Sequence, residues 1–472
     1  MVKSISAEQR AVLKDISFLL FWSVSFCVVG IGLGSLASWD EAYYAVVSKG
    51  IAASGDWINL RFFDSPFFDK PPLYLWETAF FYKLWGVSEF STRLGSALAG
   101  IGTVFVTYLI GTRLFGRLAG LASAGVLLSS TDFLHYARWG TLDITLVFFF
   151  SLTIYAFMKA EKGRGLWWLL FWVASAGAVM TKGPVIVLAW ALLLFQASDA
   201  RDFSFFGRKS FWAGFVMFLA LVLPWHVAAY LSNPGAFMRD VIYKHYIART
   251  SGALDGHTGN WYYYVRTLIN KYHPWILLVL LSLPWTLWKA FHSDERKQNR
   301  FILSWFAIVF LFFTFLVQTK LRWYILPLHP ALSITVGVLL AGWFKKRELW
   351  LKGLITLVLL LHLPFSSVLV QDYAAGIKAL SPIVKAEVSP KDGLYLYEYH
   401  DSPAALFYFE RRTGYIDSMT ELDATLLTQR PLRLIIRKNQ YADLRSEFSR
   451  RGFRPVQATN GLKEDLIFLS ST

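Results

Sequence analysis

One cysteine in 472 residues, Cys27, leaves nothing for it to pair with, so no disulfide forms within the chain. Charge is scarce as well: 17% of residues are Asp, Glu, Lys or Arg, against 55% hydrophobic. A soluble fold of this length cannot hide that much apolar surface. No glycine-rich phosphate-binding loop is present. The nearest approach, Gly32-Leu33-Gly34, lies inside an apolar run and reads as a helix-packing element. No small-residue cleavage pattern follows the first apolar run, so that segment is expected to be retained rather than removed. No internal repeat is visible.

What is present is apolar length. Mean hydropathy is +0.42, and stretches of roughly 17–25 apolar residues, enough to cross about 30 Å of hydrocarbon, recur along the chain. Spans are expected near 16–36, 93–110, 118–134, 142–158, 166–180, 185–195, 211–230, 274–287, 301–317, 323–344 and 350–370. That makes about eleven, with the fifth and sixth readable as one broken unit. The expected fold is an α-helical polytopic membrane protein.

Charge then orients it. Lys3, Arg10 and Lys14 precede the first span and place the N-terminus in the cytoplasm. Alternate short loops are all basic: Arg113 and Arg117; Lys159, Lys162 and Arg164; Arg201, Arg208 and Lys209; Arg296, Lys297 and Arg300; Lys345, Lys346 and Arg347. These account for much of the +15 net charge without invoking nucleic acid. The opposite set holds the long connections 37–92 and 231–273 and everything after 370. Residues 1–370 therefore read as a membrane domain, and 371–472 as a small extracytoplasmic α/β domain. The latter shows apolar runs at 394–399, 434–436 and 466–469, and a helical spacing of Tyr441, Leu444 and Phe448.

Two groups of residues carry chemistry. Asp40-Glu41 follows the first span directly, with Trp39 and Tyr43 beside it and no base nearby in sequence. Ionisable groups where a helix surfaces are functional candidates by default. Asp69-Lys70-Pro71-Pro72 sets an acid and a base ahead of a rigid, non-helical pair of prolines. Further bases stand on the same external side: Arg138, Lys182, Lys244, Arg249, Arg266, Lys320 and Arg322. Singly, each reads as a snorkelling anchor. Together, beside carboxylates, they suit an anionic lipid head group. Arg138 and Asp143 are close enough in sequence to pair with each other. Arg93 reads as an anchor or a supporting charge, and His329, between Pro327 and Pro330, as structural.

The order of these motifs resembles the lipid-linked-sugar glycosyltransferases of the multi-helix membrane class, the GT-C architecture. The likeness is to bacterial relatives of protein mannosyltransferases and of aminoarabinose transferases acting on lipid A. It runs through Asp40-Glu41, Asp69-Lys70-Pro71-Pro72, Arg138-Trp139-Gly140-Thr141-Leu142-Asp143, Thr181-Lys182-Gly183-Pro184, His245 to Arg249, His257 with Trp261-Tyr262-Tyr263-Tyr264, and Lys320 to Pro327. Asp69 stands where aminoarabinose transferases carry Glu, and Lys244 where relatives often carry an acid. About eleven spans is fewer than the thirteen or so of that branch.

The resemblance implies a polyprenyl-phosphate sugar donor, a lipid, glycan or protein acceptor, and transfer with inversion at the external face of a bacterial inner membrane. It implies Asp40 as the acceptor's base, with Glu41 supporting it or holding a metal. Lys70, Lys182, Arg249, Lys320 and Arg322 would neutralise the donor phosphate. Arg138, Asp143 and His245 would support them. No cofactor is required. Asp69 and His257 offer two ligands for a divalent cation such as Zn²⁺, Mg²⁺ or Mn²⁺, but two do not define a site. A transporter or flippase of lipid-linked glycans is the alternative, although transporters place their charges nearer the bilayer midplane.

Overall fold

The computed structural model describes residues 6–160, 165–241, 243, 258–364, 369–370, 372–389, 391–400, 402–462 and 465–471. The chain opens with helix α1, Ala7–Cys27. Ser6 and Gln9 cap each other's backbone N–H groups there, a reciprocal start signal. α1 ends nine residues before the expected limit at 36, because the chain turns at Gly30 and Gly34, both with positive φ. Gly32-Leu33-Gly34 is thus part of an irregular loop rather than a helix-packing element.

The connection 37–92 is largely helical. α2 (Glu41–Ser54) and α3 (Leu73–Trp85) flank a short antiparallel pair, β1 (Arg61–Phe62) and β2 (Ser65–Pro66). Neither helix contains a long uninterrupted apolar run, so neither reads as an element from hydropathy alone. α4 (Glu89–Phe115), α5 (Arg117–Leu128), α6 (Thr131–Ala137) and α7 (Asp143–Ala160) follow, then α8 (Gly165–Lys182), α9 (Val187–Ala200) and α10 (Lys209–Ser232). Beyond them lie helices Ile276–His292, Arg296–Leu311, His329–Trp343 and Glu348–Leu360.

Each of the eleven expected spans overlaps a helix among the described residues. Six apolar segments among the described residues are long enough to cross a membrane: Glu89–Phe115, Asp143–Ala160, Gly165–Ala200, Lys209–Ser232, Arg296–Leu316 and Arg322–Trp343. The segment Gly165–Ala200 is not straight. Trp172 and Trp190 would stand about 27 Å apart along one helix, yet their rings lie 5.7 Å apart, and Trp190 Nε1 donates to Ser175 Oγ at 3.1 Å. α8 and α9 therefore fold back on each other at the tight turn Gly183–Ile186, which resolves the fifth and sixth spans into a hairpin.

At the end of the bundle away from that turn, the fully buried Asp15 of α1 binds Arg117 at 2.6 Å and Lys352 at 3.0 Å. Glu348 completes the network against both bases. A buried carboxylate held by two cations ties α1, α5 and helix Glu348–Leu360 together where isolation would be costly.

The C-terminal unit is a five-stranded sheet in the order β4-β3-β5-β7-β6, built from β3 (Gly393–Tyr397), β4 (Gly414–Ile416), β5 (Leu432–Arg437), β6 (Phe453–Ala458) and β7 (Leu466–Ser471). β3 runs parallel to β4 and β5, while β7 is antiparallel to β5 and β6. Successive residues of β5 enter opposite cores: Ile435 joins helices Ala375–Glu387 and Ser402–Phe409, and Leu434 and Ile436 join helices Met419–Thr428 and Lys438–Arg450. Both faces of the sheet are covered, as parallel strands require.

Candidate functional site

The site grows from the two ends of one carboxylate pair. Glu41 begins α2 and is fully buried. Its Oε1 accepts from Arg93 Nε at 2.7 Å and from the Gly140 N–H at 2.8 Å; its Oε2 accepts from Arg93 Nη2 at 3.1 Å and the Ala37 N–H at 2.8 Å. Both oxygens are committed to donors. Glu41 consequently anchors the start of α2 beside Asp40, with its oxygens held by Arg93 and two backbone N–H groups. Arg93 emerges as its partner across 52 residues of sequence.

Asp40 is placed differently. It precedes α2 at the position where Asp ordinarily caps a helix, yet its side chain makes no cap bond. Its backbone sits at φ 46°, ψ −71°, a conformation that L-residues rarely adopt. Strain of this kind persists only where the surroundings over-determine it, and it gathers at functional sites.

Asp69 lies against the same surface. Its Oδ2 accepts from the Tyr43 hydroxyl at 2.9 Å. Burial, reinforced by Asp69, Asp240 and Asp40, holds the Tyr43 phenol well above its ordinary pKa. Tyr44 is raised likewise, by burial first and then by Asp40, Asp143 and Asp69. Four carboxylates, Asp40, Asp69, Asp143 and Asp240, thus act on one tyrosine pair.

Asp69 and Lys70 also line a cavity of about 330 Å³. Lys182, at the apex of the α8–α9 hairpin, enters it from the opposite side, with Gly183 at φ 72° making the turn. Lys182 pairs with Asp143, the first residue of α7, and stands 5.3 Å from the Tyr324 ring centroid. Arg138 does not pair with Asp143 as its spacing suggested. It is buried and donates to the carbonyls of Phe26, Val29 and Leu369, fastening the end of α1. The rest of the cavity wall is apolar, including Leu146, Val187, Leu188, Trp225, Phe313 and Trp323. His226 on α10 lines it too. An ionisable residue within an apolar span was the signal that marks it.

Two expected phosphate ligands are not at the cavity. Lys320 is buried, and its ammonium is spent on the carbonyls of Phe313, Thr314 and Val317, which close the end of the preceding helix. Arg322 bonds the Tyr136 hydroxyl at 3.1 Å and the Asp132 carboxylate at 3.3 Å, away from the lining. Arg249, His245 and His257 lie outside the described residues. Among the described residues no three of His, Cys, Asp and Glu gather to hold a metal ion.

Residues 69–227, which include the cavity's two lysines, match the family described as dolichyl-phosphate-mannose-protein mannosyltransferase. Over 361 residues the chain is 28% identical to undecaprenyl phosphate-alpha-4-amino-4-deoxy-L-arabinose arabinosyl transferase 1 of Pseudomonas fluorescens, covering 73% of this chain and 62% of that one. These matches are to lipid-linked-sugar glycosyltransferases of the multi-helix membrane class, the family this chain resembles. An uncharacterized protein of Aquifex aeolicus is 29% identical, with 81% of this chain and 77% of that one covered.

Among solved structures, ArnT from Cupriavidus metallidurans bound to undecaprenyl phosphate superposes with a TM-score of 0.74 at 20% identity, covering 99% of both chains. The archaeal oligosaccharyltransferase AglB of Archaeoglobus fulgidus gives 0.58 at 10% identity, covering 90% of this chain and 69% of that one. The fold of the chain is accordingly that of ArnT over 99% of its length. The match spans about three fifths of the arabinosyl transferase's own length. Neither named relatives nor structural neighbours support the flippase alternative.

Proposed function

We propose that this transferase moves a sugar from a polyprenyl-phosphate donor to a lipid or glycan acceptor of the cell envelope, with inversion at the anomeric carbon. The observation that carries the reading is the cavity. It joins two lysines to a long apolar wall, which is the chemistry of a phosphate attached to a prenyl chain. A relative named for an undecaprenyl-phosphate sugar supports the choice of donor.

The steps follow from the placement. Lys70 and Lys182 face the donor phosphate, and Asp143 orients Lys182. The acceptor oxygen attacks C1 opposite the phosphate; the C1–O bond to phosphate breaks and its electron pair stays on the phosphate oxygen. Asp40 takes the proton of an acceptor hydroxyl. The lysines neutralise the charge that develops on the departing phosphate, which leaves as a stable anion without needing an acid.

Orientation belongs to the same proposal. The basic residues Arg113, Arg117, Arg208, Lys209, Arg296 and Lys297 sit at helix ends of the face opposite the cavity, so that face is cytoplasmic. The N-terminus then starts inside, and the cavity and the C-terminal sheet lie on the external side.

The test is sugar release by purified protein from a panel of undecaprenyl-phosphate sugars, beside Asp40→Asn. Release that falls about 10²–10⁴-fold in the variant is the expected result. Tight binding of lipid-linked sugar without turnover of any would overturn it.

A further inference from the structure

The loop leading into Asp40 is unusual in having its backbone polar atoms tied down by long side chains from elsewhere. Arg93 donates to the carbonyls of Ile31, Leu33 and Ser35 at 2.9, 2.9 and 2.7 Å. Glu41 receives the Ala37 N–H. The remaining grips come from the C-terminal unit. Lys378 Nζ donates to the Gly34 carbonyl at 2.7 Å, and the Leu36 N–H donates to the Tyr408 hydroxyl at 2.9 Å. Ser35 Oγ donates to Asp372 Oδ1 at 2.6 Å and accepts the Ala374 N–H at 2.7 Å. Lys378 and Tyr408 meet again on Glu89, the first residue of α4, at 2.7 and 2.9 Å.

We infer that Tyr408 and Lys378 are positioning residues for Asp40, so that the C-terminal unit holds the catalytic loop in register with the cavity. The inference rests on the reading of Asp40 as the acceptor's base. A backbone at φ 46° relaxes toward ordinary values unless it is held from more than one side. Arg93 and Glu41 hold it from the membrane helices; Lys378 and Tyr408 hold it from the sheet. Loss of the second set lets the loop settle elsewhere and carries the Asp40 carboxylate with it. Neither residue lines the donor cavity, and no residue of 31–37 does either. Donor binding is therefore independent of the grip, and the chemical step is not.

The experiment uses the full-length protein in detergent, with an undecaprenyl-phosphate sugar that the parent turns over. Tyr408→Phe and Lys378→Met each lower kcat about 10- to 100-fold, the scale on which a displacement near 1 Å acts. Donor KM stays within about twofold, because ground-state donor contacts are untouched. Lys378→Arg restores most of the rate by keeping a donor to Gly34. Introduced into Asp40→Asn, either change leaves the residual rate where it was, since the group it positions is gone.

A KM that rises in step with the fall in kcat, an equal proportional loss in the Asp40→Asn background, or variants as fast as the parent would each overturn the inference. If one variant fails to fold, the other, on a separate helix, carries the test. A parent that turns over no polyprenyl-phosphate sugar would overturn the transferase reading and the inference with it. Fast variants of an active parent overturn the inference alone.

Discussion

Lys182 and Asp143, 39 residues apart, form an ion pair that joins the apex of the α8–α9 hairpin to the first residue of α7. The pair stands at the rim of the cavity and keeps one cation pointed into it. Lys320, three residues from the cavity-lining Trp323, looks similar in sequence but donates to carbonyls at a helix end and stands 5.8 Å from the Tyr264 ring centroid.

The two lysines should therefore fail differently. Lys182→Met is expected to raise donor KM and lower kcat/KM by about 10²-fold, with some loss of thermal stability because Asp143 is left without its partner. Lys320→Met should lower the melting temperature and leave the donor KM of the surviving protein near the parent value. Steady-state kinetics beside a thermal melt separates them; identical behaviour would contradict the placement.

Glu41 and Arg93 are expected to act on stability. Removing one member of a buried, fully bonded ion pair costs about 3–5 kcal/mol, because the other charge is left without compensation. Arg93→Met should accordingly show a strong loss of folded protein, and Glu41→Gln a milder one, since the amide keeps one acceptor. Retention of parental thermal stability by Arg93→Met would contradict this.

Glu77 of α3 gives a pH dependence. Its carboxylate lies over Gly95 of α4, where an added Cβ would come within 2.8 Å of it. Burial pushes its pKa up from 4.5 to about 7. The folded state thus holds the proton more firmly than the unfolded chain. Its contribution is fully present below about pH 4.5 and is lost as pH rises through about 7. Glu77→Gln should flatten the fall in melting temperature across that window. An unchanged slope would mean that another group titrates there.

Chelation bears on the metal question. If the two lysines that line the cavity neutralise the donor phosphate as proposed, transfer continues at the parental rate after exhaustive EDTA treatment. Loss of activity that one divalent ion restores would contradict this and show that a cation takes part.

Much of this architecture can be read from sequence, for identifiable reasons. Apolar length reveals the spans, because each needs a long run of hydrophobic residues. In the sheet, Tyr441 and Phe448 bury the helical stripe their spacing suggested. Asp40 and Glu41 look alike in sequence because adjacency hides direction. At a helix start, neighbouring side chains diverge by about 100°, which sends Glu41 into the protein and leaves Asp40 at its edge. Arg138 and Lys182 were equally unreadable, since their partners are carbonyls and a carboxylate brought together only by the fold. α2 and α3 escaped because short interfacial helices lack the long apolar run that hydropathy detects.

Only 22% of the apolar window of α10 is buried, and Val216, Leu221, Leu223 and Val227 are exposed along it. The same helix supplies Trp225 and His226 to the cavity wall. Among the described residues, α10 thus presents one face to the cavity and an exposed apolar face on its other side. A lipid-borne substrate reaches such a chamber sideways, by diffusion in two dimensions. What governs its occupancy is the donor's mole fraction in the surrounding leaflet or micelle, so dilution with inert lipid should slow turnover even at constant bulk concentration.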